Sequence, residues 1–220
     1  MFILWRFCVI LSFVVPFGAH AQSGQNALHQ AILSNNLSGI KTAIAAKQNL
    51  EVRDSEGRTP LMLAVYQNQI EAAKALISAG ANVNAADKIA NSPFLYAGAE
   101  GKNEILEALL QSGRVDFKQV NRYGGTALIP AAEKGHVQTV ERLLRTEIAI
   151  DHINNLGWSA LLEAIILSKN AAAQEAIVEK LLKAGANPNL ADGKGVTPLA
   201  HAKMQKLAKV IRLLEESGAR

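Results

Sequence analysis

The sequence predicts an all-α solenoid of about six helix–turn–helix repeats with β-hairpin loops, and three observations predict it. Short triplets opening with Thr or Ser recur as Thr59-Pro60-Leu61, Ser92-Pro93-Phe94, Thr126-Ala127-Leu128, Ser159-Ala160-Leu161 and Thr197-Pro198-Leu199. Their spacings are 33, 34, 33 and 38 residues, and a further step of 33 back from Leu61 lands on Leu28; a period of this length marks a repeat array. Apolar residues make up 49% of the chain and aromatics only 5%, a composition that suits closely packed short helices built from Ala, Leu, Ile and Val better than a large β-sandwich. The third observation is glycine at Gly80, Gly113 and Gly185, each after an apolar helical stretch, where a left-handed residue ends a helix.

Each element follows from local chemistry. Thr or Ser at the head of a triplet is an N-cap whose hydroxyl accepts from an orphan backbone N–H, and Pro at the next position fits the first helical residue, where its missing donor costs nothing. The first helix then buries residues such as Leu61, Ala64 and Val65. A second helix follows with apolar residues three to four apart: Ala72, Ala73, Leu76 and Ile77, then Ile105, Leu106, Leu109 and Leu110. The same face returns as Val140, Leu143 and Leu144 and as Ile177, Val178, Leu181 and Leu182. Extended residues and a turn come next, as in Asn82-Val83-Asn84-Ala85-Ala86-Asp87. The resulting repeats run approximately over 26–53, 54–86, 87–120, 121–153, 154–191 and 192–220. Two irregularities stand out. Pro130 sits where the first helix of repeat four makes its earliest internal hydrogen bond, so a distortion is expected there. Repeat five carries five extra residues around 168–173, expected to enlarge the loop between its helices.

The Thr-Pro-Leu helix start, Ala79-Gly80-Ala81-Asn82-Val83-Asn84 with its turn, and Gly135-His136-Val137 together resemble the ankyrin repeat family, from about Asn26 to the C-terminus. The resemblance implies a stack of paired helices with projecting fingers and a concave groove, used to bind proteins. In the last repeat Glu215 stands where inner repeats are apolar, and in the first Gly39 replaces an apolar residue, as expected of the caps of a complete array.

The first 21 residues differ from the rest. One positive charge in Met1–Arg6, an apolar run over Phe7–Phe17 and the small-x-small Ala19-His20-Ala21 read as a secretory signal peptide cleaved before Gln22. Cleavage takes the net charge from +4 to +3 and removes Cys8, the only cysteine, leaving no thiol for a disulfide, a metal site or catalysis. The expected mature protein is a monomer in the periplasm or secreted, without stable membrane insertion. Its mild, dispersed basicity does not mark a nucleic-acid binder.

Catalytic motifs are missing from the reading: there is no nucleophile elbow and no phosphate-cradling loop. Enzymatic activity, a cofactor and a metal are therefore not expected. His29 and His136 match the family's structural histidines, which hydrogen-bond neighbouring backbone. His152 and His201 lack a His, Asp or Glu at helical metal-ligand spacing. Glu133 and Glu163 are expected as exposed glutamates on neighbouring repeats, on a solvated or partner-facing surface.

The resemblance implies that contacts fall on the fingers and at the ends of the first helices. There the sequence places Ile89, Arg122, Tyr123, Asn155, Leu156 and Trp158 on fingers, and Glu133 and Ile166 at helix ends. Aromatics and Arg are the residue types that carry binding hot spots, so the expected partner-binding site centres on repeats three to five and takes another protein. Packing of Tyr123 and Trp158 onto adjacent fingers is the plainer alternative. The layout is similar to bacterial exported ankyrin proteins, some linked to periplasmic oxidative-stress defence, which implies support of a catalase-like enzyme. A groove-binding small-ligand or metal protein with hydrolytic activity, built on His152, Glu133 and Glu163, and a secreted effector acting on host proteins stand as alternatives.

Overall fold

The computed structural model describes residues 27–220, so the expected signal peptide and the start of the first repeat lie outside the described residues. Twelve α-helices follow in pairs: α1 (Ala27–Leu33) and α2 (Leu37–Ala45), α3 (Pro60–Tyr66) and α4 (Ile70–Ser78), α5 (Pro93–Ala99) and α6 (Asn103–Gln111), α7 (Leu128–Glu133) and α8 (Val137–Leu143), α9 (Ala160–Leu167) and α10 (Ala171–Lys183), α11 (Pro198–Met204) and α12 (Ala208–Glu216). First helices pack on first helices along one row, from α1 to α11, and second helices on second helices along the other. The core is continuous through both rows, with Leu28, Leu61, Phe94, Leu128, Leu161 and Leu199 at equivalent positions inside it.

The caps behave as hydroxyl chemistry dictates in four of the repeats. Thr59 accepts from the Met62 N–H, Ser92 from Leu95, Ser159 from Leu162 and Thr197 from Ala200, at 3.2–3.3 Å. Repeat four departs from this pattern at Pro130. Elsewhere the fifth residue of the motif donates to the cap carbonyl, as Tyr96 does to Ser92 at 2.9 Å and Glu163 to Ser159 at 2.9 Å. Proline has no such donor. The Thr126 carbonyl instead takes the Ile129 N–H at 3.3 Å, the Ala131 N–H reaches Ala127 at 3.4 Å, and α7 starts a residue late. The buried Thr126 hydroxyl has no hydrogen-bond partner.

The insertion in repeat five does not go into a loop. Only 168–170 separate the two helices, and the extra residues lengthen α10 to 13 residues against nine in α4 and α6. Asn170 caps the added turn by accepting from the Ala173 N–H at 3.0 Å. Buried Gln174 holds that turn against α9, its amide donating to the Ala164 and Ile165 carbonyls at 3.0 and 2.9 Å.

The loops between repeats form fingers that close as turns, with no β-strand among the described residues. Each begins with an Asp or Asn whose N–H donates to the carbonyl four residues on: Asp54 to Arg58, Asp87 to Asn91, Asn121 to Gly125, Asn154 to Trp158 and Asp192 to Val196. The same side chain's oxygen accepts from the second and fourth following N–H groups, as Asn154 does from Leu156 and Trp158 at 2.9 and 3.0 Å. Neighbouring fingers are tied by single backbone bonds such as Asn155 to the Tyr123 carbonyl at 2.9 Å, too few to build a ladder. Gly124, at φ +74°, lies where a Cβ would run into the Asn155 side chain, so glycine suits both the backbone and the close stacking of the fingers of repeats four and five.

Candidate partner-binding cleft

The fingers and the row of first helices enclose a cleft of about 570 Å³ across repeats two to five. Its rim is apolar and open. Ile89, Tyr123 and Leu156, the same place on three successive fingers, are 45%, 56% and 62% exposed. Arg122 lies over the Tyr123 ring at 4.7 Å and donates to its hydroxyl at 2.9 Å, which fixes the ring's position at the cleft mouth.

The floor comes from the first helices. Tyr66 and Tyr96 meet with ring centroids 4.1 Å apart. The Tyr66 hydroxyl donates to Asp87 Oδ2 at 2.7 Å and accepts from Asn91 Nδ2 at 3.1 Å. Burial, reinforced by Asp87, pushes that phenol up to about 12, so it stays a donor at any physiological pH. Pro130 and Ile129 add apolar surface in the middle, and Leu167 adds it at the end of α9. Lys134 and Glu100 pair with each other at 2.5 Å on the helix ends.

Glu163 is the unexpected member. Rather than lying exposed beside Glu133, its residue is only 4% exposed. Oε1 accepts from Asn154 Nδ2 at 2.8 Å, while Oε2 is buried without a hydrogen-bond partner. Burial, added to by the Glu133 carboxylate on α7 and offset in part by the Asn154 amide, raises it from 4.5 to about 7.

Of the residues read from the sequence, the structure brings Ile89, Arg122, Tyr123, Glu133 and Leu156 to one cleft. It places Asn155, Trp158 and Ile166 beside that cleft rather than on its lining. Trp158 is half-buried and closes its finger through backbone bonds with Asn154. Tyr96 is the lining residue the sequence reading passed over. It stands mid-helix on α5, neither on a finger nor at a helix end, as Ile129 and Pro130 do on α7.

Among the described histidines, His29, His152 and His201 each have a hydrogen-bonded ring nitrogen, whereas His136 Nε2 is buried without a partner. His29 Nε2 meets the Arg58 carbonyl at 3.0 Å, and His152 Nε2 meets the Gly124 carbonyl at 2.6 Å; His152 is not on the cleft lining that includes Glu133 and Glu163. Burial first, and Lys134 second, hold His136 below the ordinary histidine range. His201 pairs with Asp192 at 2.9 Å, a partner nine residues away and not at helical spacing. Among the described residues no group of three or more His, Cys, Asp or Glu is placed to hold a metal ion.

A profile of ankyrin repeats, described as three copies, matches residues 7–87 and 94–192, most of the chain. The chain belongs to the ankyrin repeat family. Among solved structures, an ankyrin repeat domain from Acinetobacter baumannii AYE is 51% identical with a TM-score of 0.85, over 88% of this chain and 98% of that one. The ankyrin repeat domain of Bcl-3, a member of the IkappaB protein family, is 29% identical with a TM-score of 0.80, over 90% and 88%. The ankyrin repeat protein YahD of Escherichia coli (strain K12) is 45% identical over 105 residues, 47% of this chain and 52% of YahD, so the chain spans about half the length of that relative. The fingers, the paired helices and the concave row described above are thus the ankyrin architecture, and ankyrin repeats typically serve as protein–protein interaction scaffolds.

Proposed function

We propose that this ankyrin array is an exported scaffold, periplasmic or secreted, that binds another protein through the cleft of repeats two to five. The observation that carries the reading is the succession of Ile89, Tyr123 and Leu156 on adjacent fingers. Three large apolar side chains exposed side by side over a preformed groove cost solubility unless something covers them. None of them is needed by the stack, whose core lies in the helix rows. Arg122 pre-orders Tyr123, so little side-chain freedom is left to lose on binding. Export rests on the composition of residues 1–21. Among the described residues no helix is long and apolar enough to cross a membrane. Support of a stress-defence enzyme is the narrower role that the layout favours.

The test is affinity capture from a periplasmic extract of the source organism, with wild type beside a Tyr123→Ala/Leu156→Ala double variant. The variant should fold as wild type does, because both side chains are exposed, yet lose the captured protein through a weakening of about 2 kcal/mol or more. Equal capture by both proteins would move the binding surface elsewhere. Trp158→Ala, beside the cleft and half-buried, separates contact from finger packing: lost capture with an intact melting curve assigns it to the interface, whereas a lowered melting temperature assigns it to the finger.

A further inference from the structure

From Glu163, Glu133 and the walls around them we infer that the cleft selects its protein partner by a basic side chain, arginine or lysine, carried on an apolar segment. This rests on the scaffold reading above and names the chemistry of the partner.

The argument begins with an oxygen that has nothing to do. Glu163 Oε1 is held by the Asn154 amide, but Oε2 is buried without a donor, in a side chain that lines the cleft. Buried polar atoms in folded proteins are overwhelmingly paired, so an orphan at a concave surface calls for an occupant that brings the missing donor. The neighbouring repeat shows that the fold can satisfy this place internally: four residues after Thr197 stands His201, paired with its own finger's Asp192 at 2.9 Å. Repeat five has Asn154 in place of that aspartate and Glu163 in place of that histidine. The pairing is reversed, and a carboxylate oxygen is left over.

Charge complementarity sets the sign of the donor. Glu133 reaches the same space from α7 and makes no ion pair or hydrogen bond among the described residues, while its charge bears on Glu163. The cleft's own cations are engaged: Lys134 by Glu100, and Arg122 by the Tyr123 ring and hydroxyl. Glu133 and Glu163 therefore both face this space without an ion-pair partner, among the apolar and aromatic side chains and the asparagines Asn91 and Asn121. A guanidinium or ammonium group between them supplies donors to Glu163 Oε2 and charge to both. Ile89, Leu156 and Leu167 around the rim fit apolar residues flanking that basic side chain.

The experiment is a selection of 12-residue random peptides displayed on phage against the immobilised protein. Enriched peptides are synthesised and titrated calorimetrically into wild type, Glu163→Gln and Tyr123→Ala. Glu163→Gln keeps an oxygen for the Asn154 amide and removes only the charge and the free acceptor, and circular dichroism verifies its fold. The expected result is enrichment of an arginine or lysine among apolar residues. Affinity should fall at least tenfold when that arginine is replaced by citrulline or that lysine by acetyl-lysine, and at least tenfold in Glu163→Gln. Peptides that need Tyr123 but carry no basic residue, or bind Glu163→Gln within twofold of wild type, would overturn the inference and leave the scaffold reading standing. No enrichment, or binding indifferent to Tyr123→Ala, would count against both.

Discussion

Four residues after the capping hydroxyl, repeats two to six carry, in order, Leu63, Tyr96, Pro130, Glu163 and His201. In the last two of these the side chain pairs with the residue that opens its own finger, Glu163 with Asn154 and His201 with Asp192. Asp192 faces His201, and the Val196 N–H first and His201 second hold its carboxyl below the ordinary range. Asp54 is likewise held low: burial pushes it up, but the Arg58 N–H and guanidinium and the Glu56 N–H outweigh that. Glu163 is the opposite case and has a consequence for stability. In the unfolded chain it ionises near 4.5, whereas folded it holds its proton to about 7. Below 4.5 both states are protonated and nothing is lost. As pH rises through that window the folded state binds the extra proton, so stability falls, by something on the order of 3 kcal/mol, and levels off above 7. Urea midpoints of wild type and Glu163→Gln should coincide near pH 4 and separate towards pH 8 with the variant higher. Glu133 from α7 and the His201–Asp192 pair from the next repeat are present in both proteins, so their titration largely cancels in the comparison. Parallel curves would mean that the carboxylate is as well solvated folded as unfolded.

At the scale of elements, what was legible in the sequence is what depends on near neighbours. Caps, helix-ending glycines and the distortion at Pro130 are local chemistry, since each is decided within four residues of its cause. The inserted residues of repeat five were misread as a loop because Ala171-Ala172-Ala173 has no apolar periodicity to mark it as helix. The turn is helical because Asn170 caps it and Gln174 anchors it to carbonyls of another helix. The site divides the same way. Ile89, Tyr123 and Leu156 were legible because finger positions repeat with the period. The burial of Glu163 was not, because it depends on Asn154 nine residues earlier and on α7 in the preceding repeat. Gln174→Ala tests the anchor. It removes two hydrogen bonds and leaves the Ala164 carbonyl short of this donor in a buried place, while Ile165 keeps the Gln205 amide at 3.2 Å; the loss is about 1–3 kcal/mol, read as a lower urea midpoint. Hydrogen exchange should show the N-terminal turn of α10 opening first, while the rest of α10, packed through Ile177, Val178 and Leu181, keeps its protection. Unchanged protection there would show the turn to be held by its cap alone.

The described residues form a one-dimensional stack in which each helix packs chiefly on its own pair and on the adjacent repeats, so a defect is felt locally before it is felt globally. Leu143 makes this measurable. It is fully buried on α8, between α6 on one side and α10 on the other. Leu143→Ala deletes apolar contacts to both and should cost about 2–5 kcal/mol, the spread reflecting how far Ala-rich neighbours can close the space. If nearest-neighbour coupling is weaker than this loss, exchange protection should fall most in α6, α8 and α10 and least in α2 and α12, and the unfolding transition should broaden as the array breaks in the middle. A uniform fall from α2 to α12 with a sharp transition would show instead that the interfaces are strong enough to make six repeats one cooperative unit. The result bears on the cleft, which is assembled from four repeats with no residue of its own in the second-helix row. A stack that opens at α8 loses the alignment of Tyr123 with Leu156 before it loses its helices. Peptide affinity in Leu143→Ala should therefore decline at denaturant concentrations where helical circular dichroism is still largely intact.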